Sequence, residues 1–160
     1  FVYVGSILPR KNIPTLVKAF AAFKKESNSP MKLVLAGRNY WGMHELYASI
    51  KEKGIENEVI LTNRLSDEDL GLVLGAAMAL TFIPYYEGFG IPLVEAMEAE
   101  VPIICSNVTS LPEVAGNACL QVDPMNVDEI KNAMLKINND PELRADLISK
   151  GKKQKENLAV

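Results

Sequence analysis

The chain has 160 residues, of which 48% are hydrophobic and 23% charged, a composition that is ordinary for one globular domain with a packed core. A formal net charge of -3 argues against nucleic acid as a partner, because domains that bind nucleic acid usually carry a basic face. No apolar run approaches the roughly 20 residues that span a bilayer, so a membrane-spanning helix is not expected.

Short apolar runs alternate with helical patterns along the whole chain. In chain order, the first part is predicted to contain a strand at residues 1–4, a helix from about Pro14, a strand at 32–36, a helix at 43–50 and a strand at 58–61. The remainder is predicted to contain a helix after Ser66, a strand at 79–83, a helix at 91–99, strands at 102–105 and 118–122, and helices after Asn126 and from Pro141. Ser66 and Asn126 are typical N-cap residues, and Asp69 and Glu129 complete patterns that resemble capping boxes.

Nearly continuous apolar strands joined by helices indicate a parallel sheet that is covered on both faces. We therefore predict a three-layer α/β/α, doubly wound, Rossmann-like fold with about six strands in the order 3-2-1-4-5-6. Ligands of such sheets bind at the carboxyl ends of the strands where the strand order reverses, which here is between the first and fourth strands. The loops at residues 5–12 and 84–90 are predicted to meet at that point.

The loop after the first strand reads G-S-I-L-P-R-K-N and places Arg10 and Lys11 beside the start of a helix. It lacks the G-x-G-x-x-G spacing of a dinucleotide site and the G-K-[ST] of a P-loop. Two cations beside helix N–H groups would suit a diphosphate. A solvated basic turn explains the same residues equally well, and the spacing alone does not decide between the two interpretations.

The loop after the fourth strand reads Y-Y-E-G-F-G-I-P, with Gly88 and Gly90 on either side of Phe89. Glycines let a ligand approach the backbone closely, and the following helix end can offer N–H groups to an anion. Glu87 just before this helix could simply stabilise the helix dipole by about 0.3–1 kcal/mol. The combination of Glu87, Glu95, the glycines and the predicted location favours a ligand site.

The segment E-G-F-G-I-P-L-V-E-A-M, in which seven residues separate Glu87 from Glu95, resembles the E-x7-E motif of retaining GT-B-fold glycosyltransferases of the group 1 (family 4) type. Residues 1–12 are similar to the family's opening strand and basic loop, residues 111–116 (L-P-E-V-A-G) to another family segment, and residues 122–124 (V-D-P) to a family turn. The resemblance covers nearly the whole chain.

The resemblance implies a role for each matching residue. Gly5, Arg10 and Lys11 would face the diphosphate of a nucleoside-diphosphate sugar, and Glu87 would be the catalytic residue beside the transferred sugar. Glu95 would accept hydrogen bonds from the ribose, and Arg64 would line the base. The backbone of the intervening segment would contact the phosphates and the sugar through Gly88, Phe89, Gly90 and Ile91.

The implied activity is transfer of a hexose from the donor to an acceptor with retention, without a metal or other cofactor. Residues 1–160 would form a single nucleotide-sugar-binding domain, the C-terminal half of a two-domain enzyme whose N-terminal acceptor-binding domain and final C-terminal helix lie outside this chain. Such a chain would bind nucleotide without being active alone. The expected location is the cytoplasm, with peripheral contact to the inner face of the membrane and a lipid-linked acceptor in the complete protein.

Two alternatives stay open at this level: a nucleotide-binding module without transfer activity, and a GT-B-type nucleotide-sugar epimerase. The chain also departs from the family pattern at several positions. Ser6 stands where an arginine is common, Tyr85 where a small serine is common, and Asn63 and Glu100 where glycines are usual. Arg10 is expected to substitute for the missing arginine.

Overall fold

The computed structural model describes residues 1–40 and 42–158. Its centre is a sheet of six parallel strands in the order β3-β2-β1-β4-β5-β6, which confirms the predicted order. The strands are β1 Val2–Val4, β2 Leu33–Ala36, β3 Val59–Asn63, β4 Leu80–Phe82, β5 Ile103–Ser106 and β6 Cys119–Val122. The order reverses between β1 and β4, where Val2 lies opposite Leu80.

Helices flank the sheet, as predicted for a three-layer α/β/α fold. They are α1 Ile13–Ser27, α2 Met43–Glu52, α3 Asp67–Gly75, α4 Ile91–Glu98, α5 Leu111–Ala115, α6 Val127–Asn139 and α7 Pro141–Leu158. A short 3-10 turn, Pro9–Lys11, precedes α1. Helix α1 packs against α2 and α6, whereas α4 packs against α5 and α7. Helix α5 was not predicted, because five residues are too few to show a helical period.

The predicted capping residues begin their helices as expected. The Ser66 hydroxyl accepts a hydrogen bond from the Asp69 N–H at 3.1 Å, so α3 starts at Asp67. The Asn126 side chain accepts one from the Glu129 N–H at 3.0 Å, so α6 starts at Val127. Each contact satisfies one of the backbone donors that a helix start leaves unpaired.

The core lies on both sides of the strands and is built from fully buried aliphatic and aromatic side chains. Tyr3 of β1 and Phe82 of β4 stack with ring centroids 6.0 Å apart across the point where the strand order reverses. Phe20 and Phe23 of α1 are buried against the same sheet. This packing fixes β1 and β4 side by side, and the loops that follow the two strands are therefore neighbours.

Two departures from the family pattern have the same backbone conformation. Asn63 has φ 59° and Glu100 has φ 58°, both in the left-handed region where glycine is unstrained. The chain thus keeps at both positions the conformation that a glycine would adopt most easily. Asparagine tolerates this conformation well, whereas glutamate does not.

Candidate active site

The two loops predicted to form the site meet at the carboxyl ends of β1 and β4. The Tyr85 N–H donates to the Arg10 carbonyl at 2.9 Å, which joins the loops directly. Asn12 adds a second connection, because its side-chain amide donates to the carbonyls of Ile83 at 3.0 Å and Pro124 at 2.8 Å. Asn12 is buried with φ 63°. It therefore holds the ends of β1, β4 and β6 together.

Arg10 and Lys11 both contact the carboxylate of Glu87. The Lys11 Nζ donates to Glu87 Oε2 at 2.7 Å, and an Arg10 guanidinium nitrogen lies 3.3 Å from the same oxygen. Lys11 is only 8% exposed, and its ammonium lies 5.3 Å from the ring centroid of Phe82. Arg10 is exposed. The two cations thus share one carboxylate. The three side chains together carry a net positive charge, which an anion can bind.

The backbone of Glu87 is held by residues that the sequence analysis did not identify. Its N–H donates to the Thr109 hydroxyl at 3.3 Å, and its carbonyl accepts from the Ser110 hydroxyl at 2.9 Å. Both hydroxyls lie in the loop between β5 and α5. A side-chain contact with the backbone of a residue so far away in the chain leaves no signal in the spacing of motifs.

The segment after Glu87 leads into α4. Gly88 and Phe89 are exposed, and Gly90 is buried at the N-cap of α4 with φ 93°. A Cβ at Gly90 would lie 2.6 Å from a methyl carbon of Leu111, whereas a Cβ at Gly88 would meet open space. Gly90 is therefore required by the fold. Gly88 is free of that requirement and is available to a ligand.

Glu95 lies in a cleft between α3 and α4 of about 540 Å³, whose lining also includes Ile91, Leu70 and Asp67. Partial burial raises the pKa of the Glu95 carboxyl, and the negative charge of Asp67 raises it further. A carboxylate in such a cleft can accept hydrogen bonds from neighbouring hydroxyl groups.

Arg64 lines a second cleft, of about 300 Å³, at the carboxyl ends of β1, β2 and β3. Gly5 lines the same cleft. Asp67 and Leu70 line both clefts, which therefore adjoin one another. The structure thus brings Arg10, Lys11 and Glu87 into contact, places Gly5 with Arg64, and places Ile91 with Glu95.

Tyr3 is hydrogen-bonded to the loop that follows β1. Its hydroxyl donates to the Ser6 carbonyl at 2.7 Å. Burial raises the pKa of Tyr3 far above its usual range, and the nearby Glu87 carboxylate raises it further. The tyrosine consequently stays protonated and keeps this hydrogen bond at physiological pH.

Within residues 1–40 and 42–158, no helix combines the length and apolar character needed to cross a bilayer. The same residues contain no group of three or more His, Cys, Asp and Glu side chains arranged to hold a metal ion. Arg10 and Lys11 contribute positive charge beside Glu87, and Arg38 and Arg64 line the cleft at the carboxyl ends of β1, β2 and β3.

Comparison with known proteins gives a family match over nearly the whole chain. The profile of the family described as "Glycosyl transferases group 1" matches residues 1–154. O-antigen chain mannosyltransferase B of Escherichia coli is 37% identical over 150 residues, which cover 94% of this chain and 39% of that protein. The chain therefore spans less than half the length of this relative.

Solved structures share the fold. Sucrose-phosphate synthase from Thermosynechococcus elongatus superposes with a TM-score of 0.87 at 27% identity, over 98% of this chain and 40% of that chain. Anabaena Alr3699/HepE, solved in complex with UDP-glucose, superposes with a TM-score of 0.85 at 21% identity, over 98% of this chain and 44% of that chain. On the family match and these likenesses, the chain belongs to the group 1 glycosyltransferases.

Proposed function

We propose that this chain is the donor-binding domain of a hexosyltransferase that uses a nucleoside-diphosphate sugar. The observation that carries the proposal is the convergence of Arg10 and Lys11 on Glu87, at 3.3 and 2.7 Å, where the strand order reverses. Ligands of doubly wound sheets bind at this location. The donor class is further supported by the Anabaena protein, whose structure holds UDP-glucose.

Arg10 and Lys11 act on the diphosphate in this proposal, with Gly5 beside them. When the bond between the anomeric carbon and the diphosphate oxygen breaks, negative charge grows on the leaving group. Cations and backbone N–H groups aimed at that oxygen stabilise the transition state more than the ground state. The backbone of Gly88, Phe89, Gly90 and Ile91 supplies the N–H groups. Because side-chain cations balance the charge, we propose that transfer requires no metal.

Glu87 lies beside the transferred sugar and stabilises the positive charge that develops at the anomeric carbon. We propose retention, with Glu87 positioning the sugar rather than forming a covalent bond to it. Glu95 accepts hydrogen bonds from the ribose hydroxyls in the cleft between α3 and α4. Arg64 lines the base in the adjoining cleft, which Gly5 also borders.

Mannose is the hexose that we propose to test first, because the E. coli relative with 37% identity is a mannosyltransferase by name. The chain covers only 39% of that relative. We therefore propose that the acceptor is bound by an N-terminal domain of the complete protein, and that this chain alone binds donor without transferring it. The cytoplasmic location and an acceptor at the membrane surface stay predictions.

The experiment uses the complete protein with GDP-mannose, UDP-glucose and ADP-glucose as donors. We expect an acceptor-dependent product with the anomeric configuration of the donor, measured by NMR, and unchanged activity in EDTA. Glu87→Ala should lose activity, whereas Glu56→Ala, at an exposed position before β3, should not. An inverted product would contradict retention, and full activity in Glu87→Ala would contradict its catalytic role. Isomerised donor without acceptor transfer would identify an epimerase instead.

A further inference from the structure

The backbone of Glu87 is held on both sides by two consecutive residues of another loop. Its N–H donates to Thr109 Oγ1 and its carbonyl accepts from Ser110 Oγ. We propose that Thr109 and Ser110 are positioning residues, which fix the Glu87 backbone so that its carboxylate stays beside the donor sugar. This inference rests on the proposed function and extends it to two residues outside the proposed donor contacts.

The same short segment makes a third contact of the same kind. Ser106, at the end of β5, is fully buried, and its hydroxyl donates to the Pro84 carbonyl at 2.7 Å. The hydroxyl groups of Ser106, Thr109 and Ser110 thus hold both ends of the segment 84–87. We call these three residues the hydroxyl clamp. Because β5 pairs with β4, the end of β5 and the loop after it, which contain the clamp, lie next to the loop that follows β4 and contains Glu87.

The loop needs such support because its own side chains supply little packing. Tyr85 is 43% exposed, Tyr86 60% and Phe89 49%, and Gly88 has no side chain. The carboxylate of Glu87 is also drawn towards Lys11 and Arg10. The hydrogen bond from the Tyr85 N–H to the Arg10 carbonyl also attaches the loop to the segment that carries the cations. A Glu87 backbone held by these contacts alone would move with the cations when they turn to a diphosphate. The clamp holds the backbone independently of them.

Thr109 carries a backbone conformation that supports a specific role. Its φ is 56°, in the left-handed region that β-branched residues rarely adopt. Glycine would adopt it without strain but would have no hydroxyl. The structure therefore keeps a disfavoured conformation at the residue whose hydroxyl accepts the Glu87 N–H. Such residues are commonly found where function requires a fixed geometry.

The test compares two affinities in each variant by titration calorimetry on this chain: GDP-mannose against GDP, and UDP-glucose against UDP. Thr109→Gly, Thr109→Val and Ser110→Ala each remove one hydroxyl. We expect the affinity for the sugar donor to fall about fivefold relative to that for the nucleotide, as the loss of one hydrogen bond allows. Affinity for the nucleotide itself should change less than about twofold. Thr109→Ser, which keeps the hydroxyl, should restore the ratio of sugar-donor affinity to nucleotide affinity.

Thr109→Gly separates positioning from stability, because it removes the hydroxyl and relieves the left-handed strain together. Its melting temperature should stay within about 2 °C of the parent chain, while the ratio falls. The ratio should not fall further when Thr109→Val is added to Glu87→Gln, since the clamp acts through Glu87. A fall in both affinities that parallels a loss of melting temperature would show a merely structural role and overturn the proposal.

The remaining outcomes separate this inference from the function on which it rests. Nucleotide binding by the parent chain, with ratios unchanged in all three hydroxyl variants, would overturn the clamp and leave the donor site intact. Failure of the parent chain to bind UDP, GDP and ADP, or any of the corresponding sugar donors, would overturn the proposed function and the clamp with it.

Discussion

The ammonium of Lys11 lies 2.7 Å from a carboxylate oxygen of Glu87, and Lys11 is 8% exposed. The proposed function assigns the same ammonium to the diphosphate of the donor. A phosphate placed there would meet the negative charge of Glu87 at close range, where the surrounding protein screens charges less than water does. Glu87 and the diphosphate therefore compete for Lys11 in this account.

We predict that Glu87→Gln strengthens the binding of a nucleoside diphosphate that carries no sugar. Glutamine keeps the shape of the side chain and removes the competing charge, so affinity should rise about fivefold, or about 1 kcal/mol. Calorimetric titration with GDP and UDP measures the change. The control is Glu56→Gln, an exposed glutamate that precedes β3 and therefore lies at the opposite edge of the sheet from the site. Equal or weaker binding in Glu87→Gln would rule out the competition.

Glu95 should lower the stability of the domain at neutral pH. Because its pKa is raised in the folded chain, the folded form holds the Glu95 proton more tightly than the unfolded form. The ionised carboxylate is therefore destabilising above that pKa, and the penalty disappears as the pH falls through it. Glu95→Gln should raise the melting temperature at pH 7, with a gain that fades at acidic pH. Thermal unfolding by circular dichroism across this range tests the prediction, and a gain that does not fade would contradict it.

Gly88 and Gly90 should respond differently to alanine. Gly90 has φ 93° and little room for a Cβ, so Gly90→Ala should destabilise the chain by about 1 kcal/mol or more. Gly88→Ala meets open space and should leave stability nearly unchanged, while weakening donor binding if the ligand approaches the backbone there. Chemical denaturation and titration with GDP-mannose or UDP-glucose, run on both variants, measure the two effects. Equal losses of stability would contradict the assignment of Gly90 to the fold.

Replacing Glu100 with glycine, which the family usually has at this position, should make the folded chain more stable. The Glu100 φ of 58° is strained for glutamate and for alanine, and its ion pair with Lys152 is exposed. Glu100→Gly and Glu100→Ala both remove that pair, so their difference isolates the backbone. The glycine variant should be more stable by about 1 kcal/mol. Denaturation curves showing the alanine variant equal or superior would contradict this.

Much of the site could be predicted from sequence because its determinants are local. Buried parallel strands appear in the sequence as continuous apolar runs. From these runs, residues 5–12 and 84–90 could be predicted to lie at neighbouring strand ends. The spacing of Glu87 and Glu95 carried the family resemblance, which the family match confirms. The direct contact of Lys11 with Glu87 follows from neither feature alone.

Other features depend on tertiary geometry and left no readable pattern. Thr109 and Ser110 reach the Glu87 backbone across a distance in sequence of more than twenty residues. Asn12 is the N-cap residue of α1, yet its side chain donates to carbonyls just after β4 and after β6 instead of capping the helix. Hydroxyl and amide groups of this kind are common in loops, and only the fold shows which backbone groups they satisfy.

Calorimetric titration of this chain with UDP, GDP and ADP tests the donor-site account most directly. We expect at least one nucleoside diphosphate to bind, with binding lost in Glu95→Ala and weakened in Lys11→Ala. Lys18→Ala, an exposed lysine of α1, serves as the charge-matched control and should bind as the parent does. Failure of all three nucleotides to bind a folded chain would contradict the central claim.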